Sequence, residues 1–507
     1  MKSRNIMAKV KQTQKLEAAL FSAADKLRKN IDAAEYKHIV LGLVFLKYIS
    51  DSFESLHKEL LSQNEDAEDK DEYIAKNIFF VPQDSRWSSL LSKAKSPQIG
   101  KDLDYALDLI EKDNPQLKGV LPKVYAKDNL DSATLGDLIN LIDSISLNQE
   151  NTSDILGHIF EYFLGEFALS EGKKGGQFYT PKSVVELLVA MLEPYNGRVF
   201  DPCCGSGGMF VQSERFVREH QGKISDISIY GQESNQTTWR LAKMNLALRK
   251  IDSSSLKWNS EGSFLNDAHK DLKADFIIAN PPFNATDWGS EALENDVRWQ
   301  YGTPPSTNAN YAWISHFIHH LAPKGRAGFV LAKGSLTSNT STEGQIRKNL
   351  IESNLIECIV NLPAKLFLNT QIPACLWFIK RNKSHNNTLF IDARSLGELI
   401  NRKNRILTQS DIAKITETYH KWQKAQEQKD GEYSDILGFC KSVSKEEIAN
   451  LGYVLTPGRY VGLAEDDEDF DFEREFTRLK AELESQIKEE RILSEKILNN
   501  LEIIGGK

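Results

Sequence analysis

Residues 198–209 read Arg-Val-Phe-Asp-Pro-Cys-Cys-Gly-Ser-Gly-Gly-Met: a short apolar run, a proline turn, a glycine-rich loop and the start of a helical pattern. A strand ending in such a loop, which then opens a helix, is the geometry of a ligand loop on the first strand of a nucleotide-binding fold. The loop lacks the Gly-Lys-Ser/Thr ending of a phosphate loop, and Gly205, Gly207 and Gly208 do not have dinucleotide spacing. Beginning with Asp201, it suits a positively charged sulfonium better than a pyrophosphate.

The pattern around this loop sets the fold class. From Gly197, short apolar runs at Val199–Phe200, Ile227–Gly231, Phe276–Ala279, Ala327–Ala332, Ile356–Val360 and Leu376–Ile379 alternate with helical stretches. Those stretches are Met209–His220, Gln236–Arg249, Ala309–Leu321 and Glu343–Glu352. Alternation of this kind predicts an open, mostly parallel α/β sheet, with ligands at the carboxyl ends of its strands.

At one such end stands Asn280-Pro281-Pro282-Phe283, directly after Phe276–Ala279. Asn280 precedes a proline and is pushed out of the helical region, and the two prolines stiffen the turn and carry no N–H. The arrangement suits an aromatic amine such as that of adenine, whose lone pair is delocalised into its ring. The Asn280 side-chain oxygen and the Pro281 carbonyl could each accept one N–H and draw the amine toward tetrahedral geometry, so that catalysis rests on positioning without a titrating base. Phe283 would stack on a base taken out of the duplex.

Three weaker signals surround these two. Glu233, ending the second strand, is placed to accept from ribose hydroxyls. Asp267, after Phe264-Leu265, would end the third strand and accept from an adenine amine. Gly175-Gly176-Gln177-Phe178-Tyr179-Thr180-Pro181-Lys182 leads into a helix at Ser183–Leu192 and could line the far end of the cofactor. Cys203-Cys204 lacks metal-ligand spacing and reads as small packing residues, so no metal is expected.

The rest of the chain bounds these readings. At 507 residues it needs two or three domains. Leu16, Leu20, Ala23 and Leu27, then Ile39, Leu43, Leu46 and Ile49, recur at helical spacing, and helices are also expected at Lys101–Asp113 and Leu135–Ile145. Asn64–Glu72 reads as a solvated loop. The five cysteines point to a reducing cytoplasm, and no apolar stretch approaches the roughly 18–20 residues that span a bilayer. A net charge of −8 is awkward for a chain that grips DNA alone. Arg402-Lys403-Asn404-Arg405 is a basic cluster that could contact phosphate. An acidic stretch, Glu465–Glu473, precedes a long helix whose apolar stripe runs through Phe476, Leu479, Leu483, Ile487, Leu493, Ile497 and Leu501.

Taken together, these segments resemble the modification subunit of type I restriction–modification systems, in the N6-adenine DNA methyltransferase superfamily. The likeness runs through Asp154–Ala168, GGQFYTPKSVVELLVAML, DPCCGSGGM, YGQES and ANPPFN, and on through GRAGFVLAKGSL, Asn361-Leu362-Pro363 and Asn404-Arg405-Ile406-Leu407. It departs at Cys203-Cys204, where alanine-like residues are common in that family.

The resemblance implies a Rossmann-like S-adenosylmethionine-dependent methyltransferase sheet at 151–463, an N-terminal helical domain at 1–150, and an acidic linker with a C-terminal amphipathic helix at 464–507. It implies that Gln177, Phe178, Tyr179, Thr180, Pro181, Lys182, Ser206, Gly207, Gly208 and Glu233 contact S-adenosylmethionine, joining Asp201, Gly205 and Asp267 from the reading above. Asn280, Pro281, Pro282 and Phe283 become the catalytic tetrapeptide. The implied partners are double-stranded DNA, a specificity subunit carrying two modification chains, and a restriction subunit.

A stand-alone adenine methyltransferase would carry its own target-recognition domain. The chain after Phe390–Ile391 reads as helices, linker and tail, with little room for one. Methylation of a glutamine side chain or of RNA would use the same tetrapeptide, but would not call for the long helical domain and tail. A non-catalytic interaction subunit would not need the intact tetrapeptide and glycine loop.

Overall fold

The computed structural model describes residues 33–127, 129–144, 159–165, 180–367, 372–402, 404–428, 432–463 and 472–504. The expected helical pattern at Leu16–Leu27, the residues Gln177, Phe178 and Tyr179, and most of the acidic stretch Glu465–Glu473 lie outside them.

The N-terminal part is helical, with main helices α1 (Ala33–Ser62), α2 (Ile99–Asp113) and α3 (Ser132–Asp143). Residues Ile39 to Ser50 of α1 are all buried, so this segment is wrapped on every side. By contrast α2 buries one stripe, Leu103, Ala106, Leu107 and Ile110, as an amphipathic helix does. Asn64–Glu72 is mostly exposed, but its end already enters a short helix, Lys70–Ala75, where Asp69 accepts the N–H of Asp71.

The larger part is built on nine strands: β1 (Gly197–Asp201), β2 (Ile227–Glu233), β3 (Leu256–Trp258), β4 (Ala274–Ala279), β5 (Leu321–Ala332), β6 (Ile356–Asn361), β7 (Ala374–Lys380), β8 (Thr388–Asp392) and β11 (Cys440–Val443). A two-stranded hairpin, β9 (Glu398–Leu399) with β10 (Arg405–Ile406), stands apart. The sheet order is β11-β8-β6-β7-β5-β4-β1-β2-β3. Strands β3, β2, β1, β4 and β5 run parallel, as do β6 and β8. Two strands break the rule: β7 inserts antiparallel between β5 and β6, and β11 pairs antiparallel with β8.

Alternate residues of each strand feed two cores, because successive side chains point to opposite faces. Val199, Ile278, Val330 and Val360 join α4 (Lys182–Leu192), α5 (Gly208–Glu219), α6 (Gln236–Ala247) and α9 (Gln409–Gln428) on one face. Phe200, Ile277, Phe329 and Ile359 join α7 (Asn310–His320) and α8 (Glu343–Glu352) on the other. Burial on both faces explains why the central strands read as continuous apolar runs.

Helix α6 has two buried sides. Ala242 and Leu246 pack on the sheet core, while Leu241 and Met244 belong to the core of the helical part. The last helix, α10 (Phe472–Ile504), differs from all others. Phe476, Leu479, Leu483, Ile487, Leu493 and Ile497 stay 48–58% exposed, so its apolar stripe is not spent on this chain's own core. Among the described residues, no helix is long and apolar enough to cross a membrane.

Gly231 of β2 sits where any side chain would collide. A Cβ there would lie 2.5 Å from Leu256 Cδ1 and 2.9 Å from Phe210 Cε2. Gly231→Val should therefore destabilise the sheet by about 1–3 kcal/mol, as overpacking does, and weaken ligand binding at the strand's end. Thermal unfolding and calorimetry check the two effects together.

Candidate active site

Strands β1 and β4 are neighbours, and the chain leaves β1 toward β2 and enters β4 from β3, so the strand order reverses at this pair. In an open α/β sheet the crevice beyond the carboxyl ends at such a point is where ligands bind. A cavity of about 410 Å3 opens there, with Gly205, Glu233, Asn280 and Pro282 in its wall.

Each of these residues is held by the end of a different element. Asp201, on the last position of β1, turns its carboxylate back to accept the Cys203 N–H at 3.0 Å, which fixes the turn into the loop. Gly207, the residue capping α5, has φ +79°, a conformation that disfavours a side chain. Glu233 ties loop to strand: its Oε2 accepts the Gly205 N–H at 3.0 Å and its Oε1 accepts the Asn235 N–H at 2.8 Å. A Cβ at Gly205 would meet nothing within 4 Å, so the loop presents bare backbone to open space. That cradle, with a buried carboxylate beside it, fits a cationic ligand bearing hydroxyl donors.

The tetrapeptide loop is clamped from behind. Asn284, with φ +51°, donates its N–H to Asn310 Oδ1 at 3.0 Å, and Asn310 returns its amide to Asn284 Oδ1 at 2.8 Å. The Asn280 side chain donates through Nδ2 to Thr180 Oγ1 at 2.9 Å. Its Oδ1 is buried and has no hydrogen-bond partner among the described residues. An unpaired buried acceptor is costly to fold around, so an incoming donor is the natural complement to this atom.

Aromatic residues that the sequence reading did not single out as site residues complete the wall: Phe264, Trp288 and Trp313. Phe264 stands with ring centroids 5.2 Å from Trp288 and 4.3 Å from Trp313. Arg298 fixes it by donating to the carbonyls of Ser263 and Phe264 at 3.2 and 2.7 Å. Sequence spacing did not point to this convergence, since Phe264 precedes the tetrapeptide and the two tryptophans follow it.

Several expected site residues, Asp201, Gly207, Thr180 and Pro181 among them, are not in the described wall of this cavity. Phe264-Leu265 forms a short helix, Gly262–Leu265, and the third strand ends earlier at Trp258. Asp267 accordingly does not reach the cavity. Its Oδ2 meets His320 Nε2 at 2.9 Å and its Oδ1 accepts the His269 N–H at 2.8 Å, which together hold its carboxyl below the ordinary range despite burial. The cavity wall also excludes Pro281 and Phe283, and Phe283 is 7% exposed with its ring edge-on to Phe367. Lys182 opens α4 on the exposed surface, and the half-buried Ser206 and exposed Gly208 are not in the cavity wall. Arg405 turns inward, donating to the carbonyls of Leu396 and Gly397 at 2.7 and 3.3 Å, so it is a strut of the β9–β10 hairpin and not a free phosphate contact. Arg402 is exposed, and Lys403 lies outside the described residues.

Asp267, His316 and His320 bring three donor atoms within 4.8 Å of one another, a spacing that could hold a metal. Arg298 opposes a cation there, because its Nη1 donates to His316 Nδ1 at 3.1 Å and sets a permanent charge beside the cluster. All five cysteines are free thiols, and Cys203 and Cys204 are packed around the loop, where burial pushes both well above the usual thiol range.

A parallel sheet with an inserted antiparallel β7, a glycine loop after β1, an acidic residue ending β2 and Asn-Pro-Pro-Phe ending β4 define a methyltransferase of the S-adenosylmethionine-dependent class. Residues 151–469 match the N-6 DNA methylase family and residues 16–142 match the HsdM N-terminal domain. The methylase subunit of the type I restriction enzyme HindI from Haemophilus influenzae is 47% identical, covering 84% of this chain and all of that one. That of MjaIX from Methanocaldococcus jannaschii is 38% identical over 97% of this chain and 92% of its own. The solved type I methyltransferase subunit from Streptococcus thermophilus superposes with a TM-score of 0.76 at 26% identity, covering 89% of this chain and 99% of that one. The chain belongs to the N-6 DNA methylase family, as an adenine-specific DNA methyltransferase of the type I modification-subunit branch.

Burial pushes the Asp201 carboxyl up to about 7, against the opposing Cys203 N–H bond. An acid whose folded pKa stands above its unfolded value of about 3.9 favours the folded state most at low pH, and that contribution is lost as pH rises through about 7. Ligand binding should run the other way. The anion holds the Cys203 N–H more strongly and adds negative potential to the loop. Affinity for S-adenosylmethionine should rise between pH 6 and pH 8, and Asp201→Asn should flatten that profile in calorimetry.

Proposed function

We propose that this chain transfers a methyl group from S-adenosylmethionine to the N6 amine of an adenine flipped from double-stranded DNA, at a site chosen by a partner specificity subunit. The observation that carries the reading is the buried, unpartnered Oδ1 of Asn280 in the wall of the same cavity as Gly205 and Glu233. An amine is a pure donor at this point, and a sulfonium with a ribose suits the other end.

The cofactor supplies an electrophilic methyl carbon. Glu233 and the bare backbone of Gly205 hold the ribose side, and Phe264 offers a flat apolar face to a purine. Asn280 Oδ1 takes one N–H of the amine, which localises the nitrogen lone pair for in-line attack. The amine nitrogen is thereby placed to take that methyl, and it would then release its extra proton to solvent. Asn280→Ala should abolish methyl transfer in the assembled complex while leaving cofactor affinity nearly intact. Labelled-methyl incorporation beside calorimetry tests this, and normal turnover by the variant would end the mechanism.

Partner binding is assigned to α10. A stripe about half exposed over this length fits burial against other helices. With a net charge of −8, the chain is poorly suited to hold DNA unaided, which supports a complex of two such chains on one specificity subunit, joined by a restriction subunit for cleavage. Deleting the residues after Asp471 should leave cofactor binding intact and abolish both assembly and site-specific methylation. Size-exclusion chromatography with the specificity subunit reads the outcome, and assembly by the truncated chain would rule out the docking role.

A further inference from the structure

We propose that Thr180 is a positioning residue for Asn280, setting the plane of the amide that receives the substrate amine. The proposal rests on the methyl-transfer reading above and gives this threonine a role toward Asn280 in place of the cofactor contact that the resemblance implies. Thr180 and Asn280 lie 100 positions apart in sequence, yet Nδ2 of Asn280 reaches Thr180 Oγ1 at 2.9 Å. Both residues precede a proline, Pro181 and Pro282's neighbour Pro281, so both backbones are confined to extended conformations.

Each is also tied to the sheet. Asn280 continues directly from β4, and Pro181 caps α4, whose Val184, Leu187 and Leu188 are buried in the sheet core. The bond therefore joins two stiff supports, and the side-chain torsions of Asn280 are what it fixes. With Nδ2 spent on Thr180, the opposite end of the amide, Oδ1, is left buried and unpaired. A hydroxyl can donate or accept, so Thr180 alone does not dictate which end of the amide it meets. An amine that only donates does: Oδ1 then faces the substrate and Nδ2 faces the Thr180 lone pair, so that each acceptor meets a donor. Without the hydroxyl the amide is free to rotate, and the acceptor is lost from the line of attack.

The test uses the full complex with its specificity subunit and DNA. In Thr180→Val, kcat for methyl incorporation should fall about ten- to a hundred-fold, the scale set by misplacing a catalytic group. The dissociation constant for S-adenosylmethionine should be unchanged. Thr180→Ala should show the same loss of kcat, and Thr180→Ser should restore most of it, since only the hydroxyl is required. Wild-type kcat in Thr180→Val would overturn the proposal. So would a loss confined to cofactor affinity, or a serine variant as slow as valine. Absence of methyl incorporation by the wild-type complex would instead overturn the function on which the proposal stands.

Discussion

The pairing of β1 between β2 and β4 is the constraint from which the site follows. Val199 and Phe200 are in register with Ile229 and Tyr230 on one side and with Phe276 and Ile277 on the other. Three strands thus end at nearly one level, and Asp201, Glu233 and Asn280 emerge there together. Arg198 and Asp275 bind near the opposite ends of β1 and β4, with Nε to Oδ2 at 3.0 Å, but both are partly exposed, so the pair contributes little beyond register. Burial of both sheet faces is what holds the strands level, because a slip of one residue would exchange the two cores.

The helical N-terminal part is connected to this site by more than the chain. Asn245 of α6 donates to the Ser206 carbonyl at 2.8 Å, inside the glycine loop. Arg249 donates to Asn245 Oδ1 at 2.5 Å and reaches Glu161 Oε1 at 2.8 Å, from a residue on the N-terminal side of the cofactor domain's sheet. Arg240 donates to the carbonyl of Gly119 at 2.9 Å. Since α6 is buried on both sides, it cannot shift against one core without disturbing the other. The loop is braced from the helical part, which gives that part a physical role at the site.

Much of this was legible in the sequence because period and punctuation coincided. The six apolar runs and four helical stretches all became elements, within two residues of their expected limits except that β5 begins at Leu321, six residues before Ala327. What was not legible depended on pairing. The antiparallel insertion of β7 cannot be read from Leu376–Ile379, since a fully buried strand has the same composition in either direction. Strand β11 is four residues long, with only Cys440 and Val443 buried, too little for a periodic signal. Phe264-Leu265 has apolar side chains suited to a strand, but Gly262 with φ +74° starts a helical turn there, and this carried Asp267 away from the cavity. Trp288 and Trp313 reach the wall from separate segments, and sequence spacing contains no trace of that convergence.

The charge of the chain and the behaviour of Arg405 bear on one question. A surface that binds duplex DNA needs several cations free to meet phosphates, and an arginine engaged with two carbonyls of its own hairpin is not free. Arg298 and Arg347 are likewise consumed inside the fold, where Arg347 donates to the carbonyls of Ser338 and Tyr453. These three arginines are structural. Under the proposed function, the grip on DNA must then come mainly from another subunit, and this chain needs a durable attachment to it. On that reading the exposed apolar helix would supply the attachment through area rather than charge, and its hold would not weaken with salt as a phosphate contact does.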